Sequence, residues 1–188
     1  MKTTDYKTNV MRILDRFKIE YKHYTYADTD AISGIEVATV LGQNPEQVFK
    51  TLVTVAKSKK YYVFMLPVAH ELDLKKAAQA VGEKSVEMLK SKELLPLTGY
   101  IHGGCSPIGM KKPFTTVIDS TAQDFDTIIF SAGKIGYQVE LNPNELSKIL
   151  KNIDFADITV DALHSTNWFY QRFLYQKHLN KRSNILHK

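Results

Sequence analysis

Apolar residues recur along the chain with two different periods, and these predict its secondary structure. Residues 10–17 place apolar side chains three and four positions apart, which predicts an amphipathic helix capped by Thr4 or Asp5. A second helix is expected to begin at Ser33, in a capping-box pattern, and to end at Gly42.

Strand-forming segments dominate the middle of the chain. Segments 49–56 and 61–67 are apolar and rich in β-branched and aromatic residues, so with the lysine-rich turn 57–60 they predict a hairpin. Further strands are predicted at 21–26, 115–118, 127–131 and 137–141, and further helices at 74–81, 85–90 and 144–150. Because helices interleave with strands and several strand pairs have short connections, we expect a mixed α/β (α+β) fold with a mixed sheet.

Composition narrows the class of protein. The 188 residues are 44% hydrophobic and 24% charged, which is ordinary for one globular domain. The longest apolar run, 61–68, contains a proline and is far shorter than the ~20 residues that span a bilayer. A single cysteine permits no internal disulfide and the N-terminus shows no apolar signal region, so we expect a cytoplasmic protein without membrane contact.

Charged residues are distributed unevenly along the chain, which suggests a main domain, 1–160, followed by a separate C-terminal extension, 161–188. Residues 1–160 hold 20 Lys/Arg and 19 Asp/Glu, whereas residues 161–188 hold five and one. The second segment intersperses aromatic with basic residues, which predicts a helical extension with an aromatic face and a basic face. Such a helix either packs on the body or on a second subunit, or binds nucleic acid by base stacking and phosphate contact.

The turn Gly103-Gly104-Cys105-Ser106-Pro107-Ile108-Gly109 and a lone lysine are the strongest chemical signals. Three glycines and a proline in seven positions exclude a regular helix or strand and expose backbone N–H groups to an anion or a developing oxyanion. Lys50 stands at the start of an apolar strand. It is either a partly buried functional charge or a solvated or ion-paired residue. Ser131, at a strand end before Gly133, is either a turn residue or a pocket hydroxyl.

Other chemistries have weaker support. The six histidines are scattered and no cysteine pair exists, so the sequence predicts no metal site. Cys105 is either a nucleophile or a small apolar residue packed under the turn.

Seven short motifs then occur in the order typical of one family. They are Val48-Phe49-Lys50-Thr51-Leu52, Pro67-Val68-Ala69, Leu72-Asp73-Leu74-Lys75-Lys76, Gly99-Tyr100, the glycine turn continued by Met110-Lys111-Lys112, Ile118-Asp119 and Ser131-Ala132-Gly133-Lys134. On these motifs, residues 5–160 resemble the YbaK/EbsC family, which includes the editing domain inserted in bacterial prolyl-tRNA synthetases.

The resemblance implies a fold and an activity. The fold would be a compact mixed sheet, partly barrel-like, wrapped by helices. The activity would be trans-acting deacylation of mischarged Cys-tRNA(Pro), without a cofactor. A synthetase pocket cannot strongly exclude a side chain of similar size, so a second site hydrolyses the wrong ester. In the implied mechanism the substrate's own thiol attacks its ester carbonyl, while the protein orients and stabilises it.

The resemblance also implies roles for individual residues. Lys50 would hold the substrate carbonyl or the terminal ribose, Thr51 follows it as in cysteine-editing members, and Tyr26 and Ser131 would line the pocket. The loop amides around the aminoacyl end would come from Gly103, Gly104 and Ser106, in a loop that also holds Pro107 and Gly109.

Partners and alternatives follow from the same resemblance. The partners would be tRNA(Pro) and, transiently, prolyl-tRNA synthetase, and the protein is expected to be a monomer or a weak homodimer. Two departures stand out: Gln138 replaces an aspartate that relatives often carry, and the extension 161–188 has no counterpart in typical members. The expected activity extends to Cys-tRNA(Cys). The alternatives are a deacylase for Ala-tRNA(Pro) or another small amino acid, and a non-catalytic module that binds tRNA or a synthetase.

Overall fold

The computed structural model describes residues 6–161, which form four α-helices and eight β-strands. The helices are α1 (Asn9–Arg16), α2 (Gly34–Leu41), α3 (Leu74–Ala80) and α4 (Ser91–Thr98). The strands are β1 (Lys22–Thr25), β2 (Phe49–Ala56), β3 (Tyr61–Pro67), β4 (Val86–Met88), β5 (Thr115–Asp119), β6 (Ile128–Ser131), β7 (Tyr137–Leu141) and β8 (Ile153–Ala156). Apart from residue 161, the proposed extension 161–188 lies outside the described residues.

The predicted helix starts were partly right. The capping box of α2 is confirmed, because Glu36 N donates to Ser33 Oγ at 3.2 Å and Ser33 N donates to Glu36 Oε2 at 2.8 Å. The predicted cap of α1 by Thr4 or Asp5 is wrong. Thr8 occupies the cap and its Oγ1 accepts from Met11 N at 3.3 Å.

Four elements differ from what the sequence predicts. Segment 85–90 was predicted as a helix, but Val86–Met88 is a strand that pairs with β2, and tertiary pairing outweighs local pattern in so short a segment. Helix α4 was not predicted, because it contains Pro96, which cannot donate a helical hydrogen bond. The predicted helix 144–150 is a 3₁₀ segment, Pro143–Lys148, and β8 was missed.

Two sheets form the framework. The larger has the order β4-β2-β3-β5-β8, with β4, β2 and β3 antiparallel and β3, β5 and β8 parallel. The smaller, β1-β7-β6, is antiparallel. A parallel bridge between Val48 and Ile129 joins the two sheets. The predicted mixed α/β fold is confirmed, whereas closure into a barrel stays a prediction.

The core is divided between the two faces of the larger sheet. On one face, Phe64 and Leu66 pack with Ala77 and Ala78 of α3. The other face meets α1 and the smaller sheet in the largest cluster, which includes Val10, Leu14, Phe49, Met65, Ile118, Phe130 and Val139. Because side chains alternate along a strand, neighbouring residues of β2 belong to different layers. None of the helices in residues 6–161 is long and apolar enough to cross a membrane.

Candidate active site

Lys50 lies between two apolar residues on one side of the segment that contains β2. Val48, two residues before it, packs with Ala38 of α2, and Leu52, two residues after it, packs against the α3 cluster. Alternation along the strand places Lys50 between them on the same face. Burying a charged group at such a position costs free energy unless the group is hydrogen-bonded or paired, which disfavours the interpretation of Lys50 as a solvated residue.

The register between β2 and β6 brings Ser131 to this face. Val48 and Ile129 form the parallel bridge, and Lys50 and Ser131 follow them by two residues each. Side chains two residues apart on a strand lie on the same face. Lys50 and Ser131 therefore lie on the face where Val48 and Ile129 pack against α2. Ser131 Oγ also accepts from Gly133 N at 3.2 Å, so the hydroxyl helps to form the turn that follows β6.

Tyr26 reaches the same face through the smaller sheet. Gln138 of β7 lies opposite both Ser131 and Tyr24, and Tyr26 follows Tyr24 by two residues. Tyr26 is 8% exposed, and its N–H donates to the Gly136 carbonyl at 2.8 Å. The strand registers thus place three residues that the resemblance implies for the site, Lys50, Ser131 and Tyr26, on one face of the joined sheets.

The ammonium of Lys50 donates a hydrogen bond to His70, and the side chain of His70 in turn contacts Glu46. Lys50 Nζ donates to the His70 carbonyl at 2.5 Å, and His70 Nε2 lies 2.6 Å from Glu46 Oε2. Burial lowers the pKa of Lys50, and the nearby charge of Glu71 partly opposes that effect. A partly desolvated ammonium interacts strongly with negative charge that develops beside it, because the local dielectric is low.

Thr51 occupies a different environment from Lys50. As the next residue in β2 it projects from the opposite face, where its cross-strand partner Met65 belongs to the main core. Thr51 Oγ1 is buried and has no hydrogen-bond partner among residues 6–161. The strand geometry therefore separates the Thr51 side chain from the Lys50 ammonium.

The glycine turn packs against the loop that connects β6 and β7. A Cβ on Gly104 would lie 3.2 Å from the backbone nitrogen of Ile135, and one on Gly136 would lie 2.9 Å from Ala27 Cβ, beside Tyr26. These approaches link the turn through residues 132–136 to the Tyr26 side of the site. The Gly104 N–H itself donates to the Ile101 carbonyl at 3.0 Å, so it is engaged within the turn.

Burial and contacts with Tyr100 hold the remaining residues of the turn. Ser106 and Pro107 are buried, and Ser106 Oγ accepts from Ile108 N at 3.4 Å. Gly109, with φ +79°, lies against Tyr100, whose hydroxyl donates to the Ile108 carbonyl at 2.5 Å. These contacts fix the turn against Tyr100.

Cys105 is buried in an apolar cluster. It is 8% exposed and packs with Val53 and Val63. Burial raises the pKa of the Cys105 thiol to about 12. A thiol with such a pKa is protonated at neutral pH and is a poor nucleophile, which favours the packing interpretation.

Sequence reasoning missed several polar residues around the site. Gln43 Nε2 donates to Gln138 Oε1 at 2.9 Å, and both residues are buried. Gln43 Oε1 is also buried and has no partner among the described residues. The pair is 95 positions apart in sequence, and Gln43 follows a helix end without any motif, so no local signal identifies it. The same holds for the contact between Glu46 and His70.

Comparison with known proteins identifies the family. The sequence profile of the aminoacyl-tRNA editing domain matches residues 29–149, which include Lys50, the glycine turn and Ser131. The chain belongs to the aminoacyl-tRNA editing domain family. EbsC of Enterococcus faecalis, a proposed Cys-tRNA(Pro)/Cys-tRNA(Cys) deacylase, is 49% identical over 159 residues, covering 84% of this chain and 96% of its own.

Solved structures agree with the editing-domain fold. A protein described as a proposed trans-editing enzyme for prolyl-tRNA synthetase is 23% identical, with a TM-score of 0.70 over 84% of this chain and 100% of its own. A hypothetical protein, APE2540, is 19% identical, with a TM-score of 0.72 over 80% of this chain and 99% of its own. At these identities the likeness concerns the fold alone. The family expected from the sequence is confirmed.

Proposed function

We propose that the protein is a trans-acting aminoacyl-tRNA deacylase that removes cysteine from mischarged tRNA(Pro), and also acts on Cys-tRNA(Cys). The observation that carries the proposal is the position of Lys50, a partly buried ammonium flanked by apolar residues and on the same face as Ser131, in a chain of the editing-domain family. The activity for which EbsC is named supports the choice of cysteine.

The proposed reaction needs orientation and charge stabilisation rather than an enzyme nucleophile. The thiolate of the esterified cysteine attacks its own carbonyl carbon, a carbon–sulfur bond forms, and the bond to the ribose oxygen breaks. The ribose oxygen takes a proton from water as it leaves, and a second water opens the resulting thiolactone to free cysteine. We assign Lys50 to the carbonyl oxygen, which becomes negatively charged during the attack.

The other residues on this face would shape the aminoacyl pocket. Tyr26 and Ser131 border it, and the buried pair Gln43–Gln138 lies next to them through the register of β7. The N–H groups of Gly103 and Ser106 and the turn residues Pro107 and Gly109 would form its wall. Thr51 would act from the opposite face by supporting the strand that carries Lys50.

Recognition of the correct tRNA is proposed to involve a partner. Residues 6–161 contain 19 Lys/Arg and 19 Asp/Glu, so this part of the chain has no overall attraction for RNA. We propose that transient association with prolyl-tRNA synthetase delivers the mischarged tRNA, and that the protein itself is monomeric or weakly dimeric.

The proposal is tested by the choice of substrate. Purified protein is incubated with Cys-tRNA(Pro), Ala-tRNA(Pro) and Cys-tRNA(Cys), and loss of the labelled amino acid is followed. We expect rapid loss of cysteine and little loss of alanine, because alanine has no thiol. Equal loss of alanine would refute the thiol mechanism. Binding of tRNA without hydrolysis of any of the three would favour the non-catalytic alternative.

A further inference from the structure

Lysines cluster at one end of the larger sheet. Lys50 is near the start of β2, and this cluster lies around the end of the same strand. We define the basic end as residues 57–60, which form the β2–β3 turn, residues 83–93 around β4, and residues 111–114 before β5. Nothing in the proposed chemistry uses these residues.

Contacts join the three segments into one surface. The Lys57 N–H donates to the Ser85 carbonyl at 3.4 Å, which fixes the β2–β3 turn beside the start of β4. The rings of Tyr61 and Phe114 meet edge to face with centroids 6.2 Å apart, which fixes the third segment beside the same turn.

The charge of this surface is strongly one-sided. It carries eight lysines and three glutamates, although residues 6–161 as a whole are balanced. The rest of the described chain therefore carries an excess of acidic residues. All eight side chains belong to exposed residues: Lys57, Lys59, Lys60, Lys84, Lys90, Lys92, Lys111 and Lys112.

The lysines also form a path back toward the site. Strand β4 runs antiparallel to β2, with Met88 opposite Thr54, so Lys90 lies near residue 52 and close to Lys50 along the strand direction. The seven residues from Lys50 to Lys57 span about 23 Å at ~3.3 Å per residue. About seven stacked nucleotides cover that length at ~3.4 Å each.

We propose that the basic end binds the sugar–phosphate backbone of the tRNA acceptor end as it leaves the aminoacyl pocket. The inference rests on the proposed function, because it supplies the path for the nucleotides that precede the ester. An RNA strand with one phosphate per nucleotide matches a row of exposed lysines, and such contacts carry affinity without sequence preference.

A second concave surface fits this partner less well. A groove of about 990 Å³ between α1 and β7 is lined by three lysines but also by four acidic residues, Asp15, Glu20, Glu140 and Glu145. Carboxylates repel phosphates, so the balanced groove offers no net attraction to RNA.

The test removes three charges at the turn. The variant carries Lys57→Gln, Lys59→Asn and Lys60→Gln, with Asn at position 59 because Lys59 has φ +70°. A matched control carries Lys18→Asn, Lys22→Gln and Lys151→Gln, which removes three exposed lysines elsewhere, and Lys18 likewise has a positive φ of 55°. Melting temperatures verify that both variants fold.

Three measurements test whether the basic end binds the tRNA: KM for Cys-tRNA(Pro), the salt dependence of that KM, and hydrolysis of a short ester. For Cys-tRNA(Pro) we expect the basic-end variant to raise KM about tenfold and to reduce the log–log salt slope by about two, since each lost phosphate contact removes roughly 0.7–0.9. Hydrolysis of cysteine esterified to a CCA trinucleotide should stay unchanged. Unchanged KM and slope, or equal changes in the control, would overturn the proposal. If the wild type hydrolyses neither substrate, the proposed function fails, whereas direct tRNA binding by the same variants still tests the basic end.

Discussion

The contact between Glu46 and His70 offers a sharp test of how Lys50 is positioned. Their side chains meet at 2.6 Å, and the His70 carbonyl accepts from Lys50 Nζ. Glu46→Ala removes the anchor of the His70 ring, so the His70 carbonyl can move away from the ammonium. Glu46→Gln keeps an acceptor oxygen at the same place and serves as the conservative variant.

The expected effect on stability is small. The side chains are 18% and 41% exposed for His70 and Glu46, so water screens the pair and it contributes about 0.5–1 kcal/mol. Such a loss lowers the melting temperature by about 1–4 °C in a protein of this size. The expected effect on catalysis is larger, because a misplacement of about 1 Å can cost up to ~100-fold in rate.

The assay is single-turnover deacylation of Cys-tRNA(Pro) beside thermal melting. We expect Glu46→Ala to lower the rate at least about tenfold, which corresponds to ~1.4 kcal/mol in the barrier, and Glu46→Gln to retain most of it. Glu145→Ala removes the partner of Lys148, a pair at 2.5 Å elsewhere on the surface, and should leave the rate unchanged. A wild-type rate for Glu46→Ala would refute the reasoning, as would an equal loss in Glu145→Ala.

Four further outcomes are expected. Cys105→Ala should retain deacylation in the same assay and lose about 1–2 kcal/mol in urea unfolding, because the thiol only fills space, whereas an inactive but folded variant would restore the enzyme-nucleophile alternative. The rate should rise with pH as the substrate thiol ionises near pH ~8.5. At still higher pH it should decline as Lys50 loses its charge, and this decline should begin before pH 10.5 because the pKa of Lys50 is lowered; Lys50→Arg should move the decline to higher pH. Gln138→Asp places a carboxyl at a position that is 4% exposed, where burial raises its pKa, so the variant should melt lower at pH 8 than the wild type, with a smaller deficit at pH 5; equal deficits would contradict this. Gly104→Ala should raise KM for Cys-tRNA(Pro) about tenfold, because its Cβ would press on Ile135 N, and an unchanged KM would show that the turn does not shape the pocket.

Local patterns predicted the parts of the fold that local forces decide. The β2–β3 hairpin, with Lys50 near the start of β2, follows from two apolar runs around a lysine-rich turn, and α2 follows from its capping box. Strand β4 has three residues and exists because it pairs with β2, so its local pattern was misleading. Helix α4 contains a proline that sequence rules treat as a helix breaker.

The candidate site was predictable only in part, because sequence patterns report local structure and not the contacts between distant segments. Lys50 and Ser131 were expected from motifs and Tyr26 from the family resemblance, and the strand register explains why the three share a face. The Gln43–Gln138 pair and the contact between Glu46 and His70 arise from packing between distant segments, which single-sequence patterns do not report. The opposite orientation of Thr51 follows from strand alternation once β2 is placed.

The most direct test of the central claim is the rate of Cys-tRNA(Pro) deacylation by Lys50→Ala at saturating enzyme. Loss of one oxyanion-stabilising donor costs about 100- to 1000-fold in other enzymes, and we expect a decrease in that range with unchanged tRNA binding and a folded protein. A near-wild-type rate would contradict the account, because the partly buried charge of Lys50 would then have no part in the reaction.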